Sequence, residues 1–305
     1  MFQDSLSNVH RFASGSAALA NEGRQHWSER GAAPHPAAAR PPSPRIRGEK
    51  GRRRERVRAA FLVALIFLAV APAHADRLAL WTIVHDRCLA NLAAQKPPYP
   101  CVSVELDGGE ARGVAILKDI VGTAQHLAIP TRRITGIESP DLLAPDAPPV
   151  WREAWKARAL VNARLGVELP RGALSIAVNS SLARSQDQLH LHVDCLAPDI
   201  DSALAGYKPF LTADWHVLPF ALAGRRYWAR RLNSNDLSDV APFRLLADGV
   251  PNAREKMPME SLVAVGADFT PDPPGFILLA DQAELGQGGH GEDLQDHTCA
   301  VALPR

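Results

Sequence analysis

The sequence predicts an α+β fold, an antiparallel sheet with helices packed against it. Three observations carry that reading. Short alternating runs come in neighbouring pairs joined by turn residues, as hairpins do. Longer stretches place apolar residues at helical spacing. Beyond residue 76 no stretch reads as a long linker, so the elements belong to one unit, 76–305, with a C-terminal elaboration.

Upstream of that unit the chain has a different character. Residues 1–56 are rich in Pro, Ala and Arg and have no apolar period, which predicts a disordered or over-called tail. Residues 57–75 follow the plan of a secretory signal. A positive flank precedes an apolar run at 59–70, and Ala73, His74 and Ala75 stand before Asp76. That run is shorter than the roughly 20 residues of a membrane span. Cleavage after Ala75 is the first expectation, and an anchor rescued by snorkelling flanks is the second. The body is then exported, either free in an oxidising compartment or held at a membrane surface.

Along the body, 78–91 has helical spacing and stops before "QKPPYPC". "RGVAILKDI" and "QHLAIPTRRITGI" read as a hairpin. The stretch 148–166 reads as a helix, with Pro at its start, Trp151 and Trp155 one turn apart as core, and Gly166 at its stop. "ALSIAVNS" and "QLHLHVDCL" follow as strands joined by a polar loop. "WHVLP" and "RRYWARRL" read as strands, 234–249 as a capped helix interrupted by Pro242, and 261–280 as a last hairpin.

Charge narrows the partners. Residues 1–58 hold 12 Lys and Arg against 5 Asp and Glu, whereas 76–305 hold 22 against 28. A body of that sign is a poor general binder of nucleic acid, because phosphate contacts rest on Lys and Arg. All four cysteines, Cys88, Cys101, Cys195 and Cys299, follow the signal. In an oxidising compartment they predict two disulfides among three possible connectivities. Cys88–Cys101 is favoured because it closes a short Pro-rich loop, which leaves Cys195–Cys299.

The strand at 188–196 holds the chemistry. Alternation puts Gln188, His190, His192 and Asp194 on one face and Leu189, Leu191, Val193 and Cys195 on the other. The apolar face is expected on a helix and the histidine face in a cleft. His-x-His on a strand is readily structural, and two chemistries compete with that plain reading. His190, His192 and Asp194 have the spacing of a zinc hydrolase, with His216, His290 or His297 as further ligands. Alternatively, a neutral imidazole attacks phosphorus directly, with Asn179, Ser180, Ser185 and Gln186 holding phosphate oxygens.

"AILKDIVGTAQHLAIPTRRITGI" and "IAVNSSLARSQDQLHLHVDC" resemble the two halves of histidine-triad nucleotide hydrolases. Within that superfamily the segments "AWKAR", "LSIAVNS", "HLHVDCLAPDI", "YWARRL", "PNARE" and "DHTC" resemble the bacterial CDP-diacylglycerol pyrophosphatases, in the same order over 78–303. The resemblance implies a histidine-triad-like sheet extended by a C-terminal hairpin and helix. It implies a nucleotide-linked phospholipid substrate at a membrane surface, cut to CMP and phosphatidate without a metal or other cofactor. His190 aligns with the nucleophile and His192 with the histidine that assists it. Asn179 and Ser185 match positions that hold phosphate or place the nucleophile, and Asp119 a position that contacts the nucleoside. Gln188 replaces the first histidine of the triad, where an amide can still hydrogen-bond in support. Arg225, Arg226, Arg230 and Arg231, with Arg132 and Arg133, are the expected positive charge for a pyrophosphate. His126 reads as structural, His297 has no assigned role, and the oligomeric state stays open. A non-catalytic nucleotide- or lipid-binding module, its triad decayed at Gln188, is the remaining alternative.

Overall fold

The computed structural model describes residues 76–284 and 286–302. The tail at 1–56 and the signal at 57–75 lie outside the described residues. Nine strands form one wholly antiparallel sheet: β1 Cys101–Glu105, β2 Val114–Lys118, β3 His126–Pro130, β4 Leu174–Val178, β5 Leu191–Cys195, β6 His216–Val217, β7 Trp228–Leu232, β8 Glu260–Ala267 and β9 Gly275–Gln282. Their order is β1-β2-β3-β5-β4-β8-β9-β7-β6, which puts β5 well inside the sheet. The β8–β9 hairpin extends the sheet beyond β4, as the C-terminal elaboration predicts.

Among the described residues four helices cover the sheet. The first, α1, runs through Ala79–Thr82, a π-helical Ile83–Leu89 and Ala90–Ala93. It is followed by α2 at Val150–Leu165, α3 at Pro198–Tyr207 and α4 at Pro242–Gly249. Among the described residues no helix is long and apolar enough to cross a membrane.

Period-2 alternation sorts the core onto two faces. On one face Leu191, Val193 and Cys195 of β5 pack with Ile176 of β4, Leu278 of β9, and Trp151 and Trp155 of α2. Both tryptophans are buried, and Trp155 meets Phe276 edge-on with ring centroids 4.7 Å apart. The opposite face carries two separate clusters. Leu117, Leu127 and Ile129 pack under Leu80 and Val84 of α1. Ala177, Val263 and Leu279 pack under Ile200 and Leu204 of α3. Register places Leu127, His192 and Ala177 side by side across β3, β5 and β4. The histidine strand therefore fills the seam between two apolar covers.

Both favoured disulfides are present, Cys88–Cys101 and Cys195–Cys299. One sequence expectation needs correction, and two elements were missed. Pro242 opens α4 instead of interrupting a helix; at the first position its missing N–H costs nothing. The stretch from 101 to 105 is an edge strand that follows directly on a Pro-rich turn, and 198–207 is a helix. Neither was read from the sequence.

Candidate active site

Two lines of residues meet at the seam. His190, immediately before β5, and His192 on it are both buried, and their rings lie edge to face with centroids 4.8 Å apart. Nδ1 of His190 lies 2.7 Å from the Gln188 carbonyl. A carbonyl only accepts, so Nδ1 carries the proton and Nε2 keeps its lone pair. Burial, with the nearby His192 adding to it, pushes the His190 pKa down to about 4. His190 is a neutral imidazole at physiological pH.

His192 has a different partner. Its Nδ1 lies 3.0 Å from Oε1 of Glu292, while its Nε2 is buried with no partner among the described residues. Glu292 is held from three sides. Asn179 Nδ2 donates to its Oε2, Gln125 Nε2 donates to its Oε1 at 3.2 Å, and its own N–H reaches Asn179 Oδ1 at 3.3 Å. Burial opposes ionisation of Glu292, but its hydrogen bonds from His192 and the two amides bring its pKa down to about 2.

Glu292 comes from a C-terminal strap, 290–299, that crosses the face beside β5. Leu196 bridges to Gln295, whose Nε2 donates to the Ser175 carbonyl and hydroxyl and to the His192 carbonyl. Asp296 N donates to the Cys195 carbonyl, and the Cys195–Cys299 disulfide closes the strap. At its entry Gly289 has φ +72°, and a Cβ there would collide with Ser180 and Ala283. His297, on the same strap, has Nδ1 2.8 Å from Asp194 Oδ2, and its Nε2 is 3.8 Å from Glu292 Oε1. The Asp194 hydrogen bond raises the His297 pKa.

A cavity of about 320 Å³ opens over these groups. His190, His192, Ser185, Gln186, Asp119, Lys118 and Glu292 line it together with apolar residues of α1, β2 and β3. Five residues singled out in the sequence thus converge: Asp119, Ser185, Gln186, His190 and His192. The loop that carries Ser185 and Gln186 is clamped by Arg184, which pairs with Glu138 at 2.7 Å and Asp187 at 3.3 Å. Gln186 also fastens α1, accepting from Leu80 N and donating to the Asp76 carbonyl.

Other candidates lie elsewhere. Gln188 is fully buried behind the cavity, donating to the Pro130 and Arg132 carbonyls and accepting from Ile134 N. Asn179 reaches the site through Glu292. The arginine supply is a correction: none of the six lines the cavity. Arg225 binds Asp281, Arg231 binds Asp272, Arg230 covers Trp215, Arg133 covers Trp81, and Arg132 lies 4.0 Å from Asp141. Lys118 is the cation at the cavity, and burial lowers its pKa. His126 is buried and bonded to the Ala124 carbonyl, a structural histidine.

Asp194 already accepts a hydrogen bond on each carboxylate oxygen, from His297 and from the Cys195 N–H. Among the described residues the group of His, Cys, Asp and Glu donors close enough to share an ion is Asp194, Cys195 and Cys299, and both its sulfurs are in the disulfide. A larger groove of about 800 Å³ near Arg231 and Asp272 holds none of the predicted site residues other than Arg231 itself.

Sequence reasoning missed Glu292, Gln125 and Lys118. Glu292 sits in a single 3-10 turn, Gly291–Leu294, far along the chain from its histidine, so no periodicity marks it.

Comparison with known proteins identifies the family. Residues 75–303 match the family described as CDP-diacylglycerol pyrophosphatase. The chain is similar to the CDP-diacylglycerol pyrophosphatase of Yersinia pestis, with 38% identity over 247 residues, 79% of this chain and 92% of that protein. The chain belongs to the CDP-diacylglycerol pyrophosphatase family and is a hydrolase of that class.

Proposed function

We propose that the protein cleaves the pyrophosphate of CDP-diacylglycerol in two steps through a CMP adduct on His190. The observation that carries this reading is the pairing of a neutral imidazole, its Nε2 lone pair free, with a second imidazole backed by a carboxylate. Nε2 of His190 attacks the α-phosphorus of the CMP half. The bond from that phosphorus to the bridging oxygen breaks, and the electron pair leaves with phosphatidate. A phosphate monoester is a good leaving group and needs no proton. Water then attacks the adduct, Nε2 of His192 takes the water's proton, and CMP departs from His190. Glu292 holds Nδ1 of His192 and stabilises the imidazolium that forms, as the aspartate of a catalytic triad does.

Ser185, Gln186 and Lys118 line the cavity and supply donors for phosphate oxygens, and Asp119 stands where a nucleoside hydroxyl or amine is bound. Gln188 supports the site by fixing the start of β5 to the end of β3. In the domain assignment, 76–305 is the catalytic unit and 57–75 its export signal or anchor. That puts the reaction at the periplasmic face of the inner membrane or in the periplasm.

The test is to incubate the purified protein with CDP-diacylglycerol in the presence of a chelator, identify the products, and weigh the intact protein after rapid quenching. CMP, phosphatidate and a CMP adduct lost in His190→Ala are expected. Absence of any adduct, with activity that depends on added zinc, would replace this mechanism by the zinc-hydrolase alternative.

A further inference from the structure

The floor of the histidine cavity changes character from strand to strand. His192 on β5 is registered with Leu127 on β3, and Leu127 with Leu117 on β2. Ala79, Leu80 and Ile83 of α1 form the wall above the apolar half. Beyond Lys118 the chain turns at the rim, and there two apolar side chains face water: Ile120 is 100% exposed and Val121 52%. Leu78, next to the wall residue Ala79, is exposed as well.

This tip is held in place. Asp119 N donates to the Gln125 carbonyl at 3.1 Å, and Val121 N to Asp119 Oδ1 at 3.2 Å. Lys118 Nζ donates to the Asp119 and Gly122 carbonyls, and Thr123 N to the His297 carbonyl at 2.9 Å. An anchored turn that presents isoleucine and valine outward keeps apolar surface available to something outside the fold.

Cavity size indicates what that is. At about 320 Å³ the cavity is at the low end of small-molecule pockets, which span roughly 300–1,000 Å³. It holds a pyrophosphate and a flanking group but not two acyl chains in addition. The chains of a diacylglycerol-linked substrate must stay outside, where a bilayer already holds them. The chain enters the described body at Asp76, two residues before Leu78, and the apolar run at 59–70 lies just upstream in sequence.

Resting on the lipid substrate proposed above, we infer that Ile120, Val121 and Leu78 dock the cavity rim onto a phospholipid bilayer. The pyrophosphate then reaches His190 without the lipid leaving the membrane. Docking is by apolar insertion and not by attraction to anionic headgroups. Asp119 flanks the tip, and the body from residue 76 carries more acidic than basic groups. Zwitterionic vesicles suffice, and salt has little effect.

The experiment uses the full chain with phosphatidylcholine vesicles. The quantity read is the ratio of turnover on long-chain CDP-diacylglycerol in the vesicles to turnover on a water-soluble dihexanoyl analogue. Ile120→Asp with Val121→Asp should lower that ratio about tenfold or more, the order expected when apolar insertion is lost. In parallel, Ile120→Trp should add fluorescence that brominated phosphatidylcholine quenches, measured against the unsubstituted protein. An unchanged ratio, with the added fluorescence of the Ile120→Trp variant left unquenched, overturns the docking surface and leaves the lipid-substrate reading intact. Failure of the unsubstituted protein to turn over either substrate overturns both. A dimer in vesicle-free solution that Ile120→Asp dissociates would assign the patch to a second copy, and that too overturns the proposal.

Discussion

Nδ1 of His190 faces a main-chain carbonyl, whereas Nδ1 of His192 faces a carboxylate. A carbonyl fixes the tautomer but gains little when the ring becomes charged. A carboxylate fixes the tautomer and also stabilises the imidazolium. The first arrangement suits a group that must stay neutral and nucleophilic, and the second suits a group that collects a proton. Glu292→Gln keeps the shape and the hydrogen-bonding reach while removing the charge. We expect kcat to fall about 10²-fold with KM nearly constant, at the lower end of what general-base assistance contributes. The CMP adduct on His190 should build up, because the second step is slowed and the first is not. Quenched-flow mass analysis checks this directly. A fall in kcat with no accumulated adduct would assign Glu292 to the first step instead.

At the scale of elements, the strap at 290–299 builds the half of the site that β5 cannot supply. It brings Glu292 to His192 and His297 to Asp194, and it is tied down by the Leu196–Gln295 bridge and the Cys195–Cys299 bond. That disulfide closes a loop of about a hundred residues, worth about 5 kcal/mol in the chain-entropy model. Replacing both cysteines by Ala should therefore lower stability and free the strap. In that background Glu292→Gln should cost almost nothing further in kcat, whereas alone it costs about 10²-fold. Strong non-additivity is the signature of two changes that act through one contact. Additive losses would mean that the strap holds its place without the disulfide.

The same strap marks the limit of what the sequence discloses. The β5 face, the His190 and His192 pair, the two disulfides, and the convergence of Asp119, Ser185 and Gln186 all follow from local alternation, spacing and resemblance. Glu292 and Gln125 matter through partners remote in sequence, and no local pattern encodes that. The arginines fail for a related reason. A run such as Arg225, Arg226, Arg230 and Arg231 gives the amount of charge but not its direction. Here the acids Asp281 and Asp272 pair with Arg225 and Arg231, away from the histidine cavity.

Over the whole molecule, two buried groups set opposite slopes of stability with pH. His190 has a folded pKa of about 4 against an unfolded value near 6.5, so between those values the unfolded chain binds the extra proton. Stability contributed by keeping His190 neutral is present above 6.5 and lost as pH falls toward 4. Glu260 on β8 behaves in the opposite sense. Burial raises its pKa to about 7, with Asp281 adding to the rise and Gln282 opposing it, so the folded protein binds the extra proton. That contribution is present below about 4.5 and lost as pH rises through 7. Each shift corresponds to about 3 kcal/mol over its range. Between about pH 4.5 and 6.5 the two slopes oppose each other, while buried His126, whose pKa is also lowered by burial, adds to the slope of His190, so the intact protein should show only a shallow climb there. Removing either group should expose the other. In Glu260→Gln, stability should climb from pH 4.5 to 6.5. In His190→Gln it should fall over the same interval. The double variant should return to the shallow climb of the unsubstituted protein, left by His126, because Glu260 and His190 should act additively. Urea denaturation at closely spaced pH values measures these slopes apart from any loss of absolute stability. A Glu260→Gln slope indistinguishable from that of the unsubstituted protein would show that Glu260 is already ionised in the fold. The shallow climb of the unsubstituted protein would then need another origin.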